Sequence, residues 1–274
     1  MKTLNVHLVV IDPQNDFMDQ SDAALPVPGA TADMQRLAAM LARIGHKLDD
    51  VHVTLDSHHA IDVAHPGFWR DANGQHPDPF TIITPDDVEN GVWVPQSRAL
   101  RERMLSYAEA LAADGKYPLM IWPEHCLIGT PGHTVQADLM AALLDWERKN
   151  FANVDFVTKG ANPFTEHYGA LMAEVPDPSD PSTGLNAAFL QMLAEADIVA
   201  VAGEALSHCV KATVDQIAEH IGAEHIKKFH ILTDCASPVA QVGDGPDFPA
   251  IAEAWLRDME AAGMVLTTSE AFLA

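Results

Sequence analysis

The segment VAVAGEALSHCVKATVDQIAEH, residues 199–220, joins a short apolar run to an amphipathic helical pattern. The apolar run Ile198–Ala202 predicts a buried strand, and the helical pattern covers 208–221. Similar apolar runs occur at 6–11, 51–55, 154–158, 229–233 and 264–268. Unbroken apolar strands that alternate with helices form parallel sheets covered on both faces. We therefore predict a doubly wound three-layer α/β/α fold with a parallel sheet of about six strands.

Helical patterns lie between these strands, and two irregular stretches interrupt the alternation. The helical patterns occupy about 30–48, 98–113, 133–150, 185–195, 208–221 and 247–262. Thr31 is a candidate N-cap for the first of them, and 117–122 is a candidate additional short strand. Residues 57–97 and 160–183 are rich in Pro, Gly and Asp, so we expect irregular loops that build or cover a site. We predict one domain over 1–274, with insertions near 66–115 and 160–183.

The charge balance narrows the classes of partner. Lys and Arg number 16 against 39 Asp and Glu, which gives a formal net charge of −23. Such a chain repels phosphate backbones and anionic lipid headgroups, so we expect neither nucleic acid nor membrane as a partner. A small neutral or cationic substrate fits better, although a solubilising acidic surface accounts for most of the excess. The N-terminus lacks the pattern of a signal peptide, and we expect a cytoplasmic protein.

The three cysteines are too few and too scattered for a disulfide framework, which leaves room for one reactive thiol. Cys209 falls just past the apolar run, in the first turn of a helix that starts near Ser207. A helix N-terminus and a nearby cation both lower the pKa of a thiol, and free backbone N–H groups there can hold an oxyanion. The alternative is that Cys209 is a small buried apolar side chain, as most free cysteines are.

Charged side chains also follow other strands of the predicted sheet. Asp12 follows the first strand, and Lys159 follows the strand at 154–158. Ligands of open α/β sheets bind at the carboxyl ends of the strands, so these residues are expected to meet Cys209 there. A desolvated Asp12 would take the thiol proton and later activate water, and Lys159 would pair with it. Alternatively, Asp12 caps a helix or a loop, and Lys159 lies on the surface.

A cluster of metal-ligand residues follows the second strand. Asp56 and His58 stand two residues apart, and residues i and i+2 of an extended segment point the same way. His125 would supply a third ligand from another loop. Mixed carboxylate and imidazole ligands suit a divalent metal, namely Zn²⁺, Fe²⁺ or Mn²⁺. For any single histidine, the alternative is an ordinary core or surface position.

Five segments together resemble the cysteine hydrolases of the isochorismatase-like superfamily, in particular the nicotinamidase/pyrazinamidase branch. They read VVIDPQNDF, LDSHH, WPEHCLIGTPG, TKG and AGEALSHCVKAT, in the order of the family, between residue 6 and about 240. The resemblance implies the isochorismatase-like hydrolase fold and a catalytic triad of Asp12, Lys159 and Cys209. It also implies a cis peptide bond between Glu204 and Ala205, and an oxyanion hole formed by the N–H groups of Ala205 and Cys209.

The same resemblance implies metal ligands and substrate contacts. Asp56, His58 and His125 match the metal motif of the family, with His65 a weaker fourth candidate and His59 the other contender. In the family, the metal binds the pyridine nitrogen of nicotinamide or a water. Phe17 and Trp122 match positions whose rings flank the substrate, and core packing is the alternative for both. Members often assemble as dimers or tetramers, so we expect a homo-oligomer.

The predicted function is that of a cysteine-dependent amidohydrolase, which cleaves an amide C–N bond through a thioester. Nicotinamide, converted to nicotinate and ammonia, is the first-choice substrate. The long insertions, Glu204 in place of an apolar residue and Ser207 in place of a common Asp depart from the family. Another amide, ureido or carbamoyl substrate therefore stays open. So do a metal-water hydrolase in which Cys209 is incidental and a catalytically silent binding protein on the same scaffold.

Overall fold

The computed structural model describes residues 4–113, 116–241, 243 and 245–274. The strands are β1 Val6–Ile11, β2 Asp50–Asp56, β3 Trp69–Arg70, β4 Ile82–Ile83, β5 Val94–Pro95, β6 Leu119–Met120, β7 Asp155–Lys159, β8 Ile198–Gly203, β9 Phe229–Leu232 and β10 Val265–Thr267. The α-helices are α1 Ala30–Ile44, α2 Pro85–Glu89, α3 Arg101–Ala113, α4 Ala137–Asn150, α5 Ala187–Glu195, α6 Lys211–His220 and α7 Phe248–Ala262.

Six strands form one sheet in the order β10-β9-β8-β1-β2-β7, and every neighbouring pair is parallel. These are the six strands that the apolar runs predict, each within two residues at either end. The order places β1 between β8 and β2. The strands of this sheet that come first after β1, namely β2 and β7, therefore lie on one side of it, and β8, β9 and β10 lie on the other side. The doubly wound α/β fold is therefore confirmed, and the carboxyl ends of the central strands lie side by side.

Alternating side chains of the central strands feed two separate cores. Leu8 and Val10 of β1 belong to a core that includes Leu37 of α1 and Leu143 of α4. Val9 and Ile11 face the opposite core, whose other members include residues of helices α5, α6 and α7. Because both faces of β1 are covered, all six of its residues are buried. The three layers are thus helix, sheet and helix, as predicted.

The stretch predicted to be irregular, 57–97, contains regular structure, so that expectation is wrong in part. It holds β3, β4, β5 and α2, and β3 pairs with β5 while β4 pairs with β6. Helix α2 begins with a capping box, in which Thr84 and Asp87 exchange side-chain and backbone hydrogen bonds around Pro85. A third cluster of buried side chains, which includes Trp69, Met104 and Ile121, packs this region together. The candidate strand at 117–122 is therefore real but lies outside the main sheet.

Two helix starts differ from the sequence-based predictions. Helix α1 begins after Gly29, which has a left-handed φ of 99°, so the expectation that Thr31 is its N-cap is wrong. Its α-helical part ends at Ile44 and continues as one 3-10 turn. The helix predicted at 208–221 starts as a π-helical turn, Leu206–Val210, ahead of α6. None of the described helices has both the length and the apolar character needed to cross a bilayer.

Candidate active site

The carboxyl ends of four neighbouring strands bring the charged residues and the thiol together. Asp12 follows β1 directly, Asp56 ends β2, Lys159 ends β7, and Cys209 lies in the turn after β8. In the register of the sheet Asp56 pairs with Lys159. Successive parallel strands thus deliver two acids, a base and a thiol to one place, because their chain directions agree.

Lys159 is the centre of this group. Its Nζ lies 3.0 Å from Asp12 Oδ2, 3.0 Å from Asp56 Oδ1 and 3.6 Å from Cys209 Sγ. It also donates to the backbone carbonyl of His167 at 2.8 Å. Carboxylate oxygens of Asp12 and Asp56 and the sulfur of Cys209 all lie within 4.8 Å of one another. A buried ammonium ion surrounded by two carboxylates and a carbonyl has every hydrogen-bonding need met.

Asp12 is held by its neighbours in β2. Its side chain is fully buried, and its Oδ1 accepts a hydrogen bond from the Thr54 hydroxyl at 2.5 Å. The Thr54 oxygen accepts in turn from the backbone N–H of Asp12 at 3.0 Å. Asp12 also has a positive φ of 44°, a rare backbone conformation for a residue other than glycine. The carboxylate is therefore fixed in one position beside Lys159.

Burial dominates the protonation of the thiol. Desolvation raises the pKa of Cys209 well above 9.0, although the nearby Lys159 acts in the opposite direction. The sequence-based expectation of a lowered thiol pKa is therefore wrong, because desolvation raises the pKa of Cys209 more than the charge of Lys159 lowers it. Desolvation also raises the pKa of Asp12, against the effect of Lys159. A more basic carboxylate beside a thiol is suited to accept its proton.

The backbone around Cys209 forms a compact turn. The N–H groups of His208 and Val210 both donate to the carbonyl of Ala205, at 3.0 and 3.2 Å. The peptide bond between Glu204 and Ala205 is cis, as the resemblance implies. The N–H of Ala205 has no hydrogen-bond acceptor among the described residues. That N–H is consequently available to a ligand next to the thiol.

The histidine cluster stands on the other side of Asp56. Ligand atoms of His58, His65 and His125 lie within 4.8 Å of one another, and all three side chains are buried. Asp56 Oδ2 lies 3.1 Å from His58 Nε2 and 3.6 Å from His125 Nε2. His59, in contrast, is exposed and offers only its carbonyl, to His65 Nδ1 at 3.2 Å. The geometry therefore favours His65 over His59 as the fourth candidate ligand.

His58 lies between two carboxylates, because Asp62 contacts the ring nitrogen that points away from Asp56. Asp62 Oδ2 lies 3.1 Å from His58 Nδ1, which leaves Nε2 directed toward Asp56. His58 Nε2 has no partner with hydrogen-bond geometry among the described residues, despite its short distance to Asp56. His58 Nε2 and Asp56 Oδ2 are therefore placed so that both could bind one metal ion. A carboxylate that accepts a hydrogen bond from the other ring nitrogen of a ligating histidine is typical of metal sites.

A small cavity opens onto Cys209, and its walls are mainly apolar and aromatic. It is lined by Phe17, Leu25, Val27, Asp56, Trp122, His125, Glu166, Tyr168, Ala205, His208, Cys209 and Val239. Phe17 and Trp122 line this cavity and are also buried members of the core, so the substrate-flanking role of the two rings stays a prediction. Trp122 donates its indole N–H to the Tyr168 hydroxyl at 3.1 Å, which fixes the ring. The cavity suits a small and largely apolar ligand.

Sequence analysis missed six wall residues: the apolar Leu25, Val27 and Val239, and three that carry polar groups, Glu166, Tyr168 and His208. Burial lowers the pKa of His208 to about 3, so its ring is neutral, and it stacks on Tyr117 with centroids 5.1 Å apart. Burial raises the pKa of Glu166 to about 8. Glu166 and Tyr168 belong to the 160–183 insertion, and the position of that insertion directly after Lys159 was the available signal.

The sequence matches no protein-family model and no curated protein. Solved structures do match: the Acinetobacter baumanii nicotinamidase/pyrazinamidase has 20% identity and a TM-score of 0.62 over 99% of this chain and 100% of that one. Yeast nicotinamidase Pnc1p bound to the inhibitor nicotinaldehyde has 19% identity and a TM-score of 0.62, over 96% and 99% of the two chains.

A third solved structure is that of a pyrazinamidase from Pyrococcus horikoshii in complex with zinc. It has 20% identity and a TM-score of 0.56, over 96% of this chain and 99% of that one. The three similarities cover nearly the whole length of each pair of chains, so they concern the complete architecture rather than one motif. The chain therefore has the isochorismatase-like α/β fold of the nicotinamidases and pyrazinamidases.

Proposed function

We propose that the protein is a cysteine-dependent amidohydrolase that cleaves a carbon–nitrogen bond through a thioester. The observation that carries this proposal is the contact of Lys159 Nζ with Asp12 at 3.0 Å and with Cys209 at 3.6 Å, beside an apolar cavity. A nucleophile, a base and a charge that orients the base are the parts that such a reaction needs. All three side chains are buried, so bulk water does not compete for them.

The first half of the reaction forms the acyl-enzyme. Asp12 takes the proton of the Cys209 thiol, and the sulfur attacks the carboxamide carbon. The N–H groups of Ala205 and Cys209 hold the oxyanion of the tetrahedral intermediate. The C–N bond then breaks, and Asp12 returns the proton to the departing ammonia. Lys159 stabilises the carboxylate and the thiolate while the proton is away from the sulfur.

The second half hydrolyses the thioester. Asp12 accepts a proton from a water molecule, and the resulting hydroxide attacks the thioester carbon. The C–S bond breaks, the proton returns to the Cys209 sulfur, and the carboxylic acid leaves. Asp12 therefore acts first as a base and then as an acid in each half of the reaction, and burial raises the pKa of this carboxyl, which makes it a stronger base for the two proton abstractions.

The residues of the histidine cluster fit a divalent metal, for which Asp56, His58, His65 and His125 would be the ligands. Three imidazoles and one carboxylate suit Zn²⁺, Fe²⁺ or Mn²⁺. When bound, the metal supplies a Lewis acid that holds a substrate heteroatom or a water. Asp56 faces both centres, with Oδ1 toward Lys159 and Oδ2 toward the histidines. Asp56 would therefore link a bound metal to the triad.

Nicotinamide is the proposed substrate, with nicotinate and ammonia as products. Both residues that the family resemblance places beside the substrate ring, Phe17 and Trp122, line the cavity, and aromatic side chains are suited to pack against a flat heteroaromatic ring. Two of the similar structures, those from Acinetobacter baumanii and yeast, are of nicotinamidases. The runner-up is another amide, ureido or carbamoyl substrate. The insertion residues Glu166 and Tyr168 favour it, because they place a carboxyl and a phenol in the wall that would select the substrate.

The test is ammonia release from a panel of nicotinamide, pyrazinamide and aliphatic, ureido and carbamoyl compounds, with Zn²⁺, Fe²⁺ or Mn²⁺ supplied. We expect turnover of nicotinamide that falls by roughly 10³-fold or more in Cys209→Ala. The matched control is Cys235→Ala, another buried free cysteine outside the cavity, which should keep its activity. Turnover of a different compound selects the runner-up substrate. Full activity of Cys209→Ala refutes the cysteine mechanism and selects a metal-bound water as nucleophile.

A cytoplasmic location and a homodimer or homotetramer remain part of the proposal. Both come from the sequence and its family resemblance. Light scattering of the purified protein measures the number of chains in the assembly.

A further inference from the structure

Two buried carboxyl groups lie together behind the candidate oxyanion hole. Glu204 stands between β8 and Ala205 and is fully buried, and Asp33 of helix α1 is buried to nearly the same extent. The two side chains meet at Ser237, whose backbone N–H donates to Glu204 and whose hydroxyl donates to Asp33. An ionised carboxylate in such a place needs a cation or several donors, because burial without them is very unfavourable.

The described residues offer this pair only one cation. Arg36 forms an ion pair with Asp33 Oδ1, and the Ser237 hydroxyl donates to Asp33 Oδ2 at 2.6 Å. Glu204 Oε2 accepts from the Ser237 backbone N–H at 3.2 Å. Glu204 Oε1 has no N–H or O–H donor among the described residues. Because the guanidinium pairs with Asp33 and not with Glu204, the hydrogen-bonding needs of the two carboxyls are best met when Glu204 keeps its proton and donates it to Asp33.

The pair is tied to the walls of the cavity by backbone hydrogen bonds. Leu206 N–H donates to the Ser237 carbonyl at 2.8 Å, and Gly203 N–H donates to the Cys235 carbonyl at 2.9 Å. Val239 N–H donates to the Ser207 hydroxyl at 3.1 Å. The segment 235–239 therefore runs along the 203–207 segment, and each supplies a wall residue of the cavity, Val239 and Ala205.

We propose that Glu204 is a positioning residue, whose protonated carboxyl donates a hydrogen bond to Asp33 and so holds Ala205 and the 235–239 segment in place beside Cys209. The proposal rests on the proposed function for its catalytic consequence. The hydrogen-bonded pair itself does not depend on any activity.

The electrostatic surroundings agree with this assignment. Desolvation, followed by the charge of Asp33, raises the pKa of Glu204 well above 4.5. Asp19, from the loop after β1, acts in the same direction, while Arg36 is engaged with Asp33. Asp234, which precedes the 235–239 segment, accepts hydrogen bonds from the backbone N–H and the hydroxyl of Ser269.

The direct test is infrared spectroscopy of the full-length protein near neutral pH, with Glu204→Gln as the variant. A glutamine keeps both hydrogen bonds, since its NH₂ donates to Asp33 and its oxygen accepts from Ser237. We expect the wild-type spectrum to contain the C=O stretch of a protonated carboxylic acid that Glu204→Gln loses. The control Glu253→Gln, on the exposed face of α7, should leave that band unchanged. An unchanged band in Glu204→Gln overturns the proposal.

Stability against pH gives a second readout that needs no substrate. A glutamate whose pKa is raised in the folded state binds more protons folded than unfolded, so its contribution to stability falls as pH rises above 4.5. Relative to wild type, Glu204→Gln should therefore gain resistance to urea as pH rises from 5 to 8. The ratio of the wild-type unfolding equilibrium constant to that of Glu204→Gln should rise by at most about tenfold per pH unit. A margin that does not change with pH contradicts the proposal.

The catalytic consequence is tested by comparison of two variants on whichever amide the wild type turns over. Glu204→Leu removes the donor and should lower kcat/KM by between about tenfold and 100-fold, because the oxyanion donor is displaced. Glu204→Gln should restore it to near the wild-type value. If neither variant changes kcat/KM while the infrared band behaves as expected, the pair exists but the positioning role is refuted. A protein inactive on every amide refutes the proposed function and leaves the infrared result intact.

Discussion

Strands β1 and β2 bury titratable side chains at both of their ends, and the two ends differ. At the amino end, His7 Nδ1 lies 3.0 Å from His52 Nε2, and each histidine also contacts an aspartate, Asp50 or Asp155. Those aspartate side chains are 56% and 46% exposed. At the carboxyl end, Asp12, Asp56 and Lys159 are all nearly or fully buried, and the cavity begins beside them.

The comparison separates a structural cluster from a reactive one. At the amino end the charged groups reach solvent, so water screens them and their removal costs little. At the carboxyl end the charges are withheld from water, which strengthens every electrostatic interaction but requires each charge to have its counterpart. A cluster of charges that is buried at a high desolvation cost and that faces a cavity is the better candidate for a catalytic site.

Loss of Lys159 should have the largest effect. Lys159→Met leaves Asp12 and Asp56 buried without their common cation, so we expect activity to disappear and the free energy of unfolding to fall by about 3–5 kcal/mol. Urea denaturation and ammonia release measure the two effects. The control is Lys211→Met, which breaks a partly exposed i,i+4 pair with Asp215 and should cost less than about 1 kcal/mol. Similar costs for the two variants would contradict the contrast between buried and exposed charges.

Substitution of His65 and of His59, one at a time, tests which of the two is the fourth metal ligand. His65→Ala removes a buried candidate ligand, whereas His59→Ala removes an exposed side chain six residues earlier that offers only its carbonyl. We expect metal affinity to fall by roughly 10- to 100-fold in His65→Ala and to be unchanged in His59→Ala. Equilibrium dialysis against Zn²⁺ with elemental analysis measures it. The reverse order of the two variants would assign the fourth ligand to His59.

The amino-end pair should affect only stability. Burial, followed by the charge of His52, lowers the pKa of His7 below 6.5. A histidine with a lowered pKa stabilises the folded state above pH 6.5, and that contribution is lost as pH falls. His7→Gln should therefore flatten the decline in stability below pH 6.5, by at most about 1.4 kcal/mol per pH unit, without changing kcat. The exposed His46→Gln is the control, and a changed kcat in His7→Gln would contradict the structural assignment.

The sequence was a good guide wherever a signal is local. Apolar runs such as Val6–Ile11 predict buried strands because a strand covered on both faces must be apolar throughout, and strand ends then predict where Asp12 and Lys159 lie. The two-residue strands β3, β4 and β5 were missed because such short segments carry no periodicity. The capping signal of the neighbouring helix α2, Thr84-Pro-Asp-Asp87, is nevertheless present in the sequence.

The walls of the cavity could not be predicted in the same way. Glu166 and His208 reach the cavity through long-range packing, and no spacing in the sequence reveals that Tyr117 stacks on His208. The protonation of Cys209 was predicted in the wrong direction for a related reason. A nearby cation and a helix start can be inferred from sequence, but the degree of desolvation depends on how all the surrounding segments pack.

The central claim is that Cys209 carries the acyl group during turnover. The most direct measurement is mass spectrometry of the wild-type protein, quenched with acid during incubation with the amide that releases ammonia and then digested into peptides. The account predicts a mass increase equal to the acyl group of the substrate on the peptide that contains Cys209, and none on the peptides with Cys126 or Cys235. Steady ammonia release with no acyl group on Cys209, and with equal release by Cys209→Ala, would contradict it.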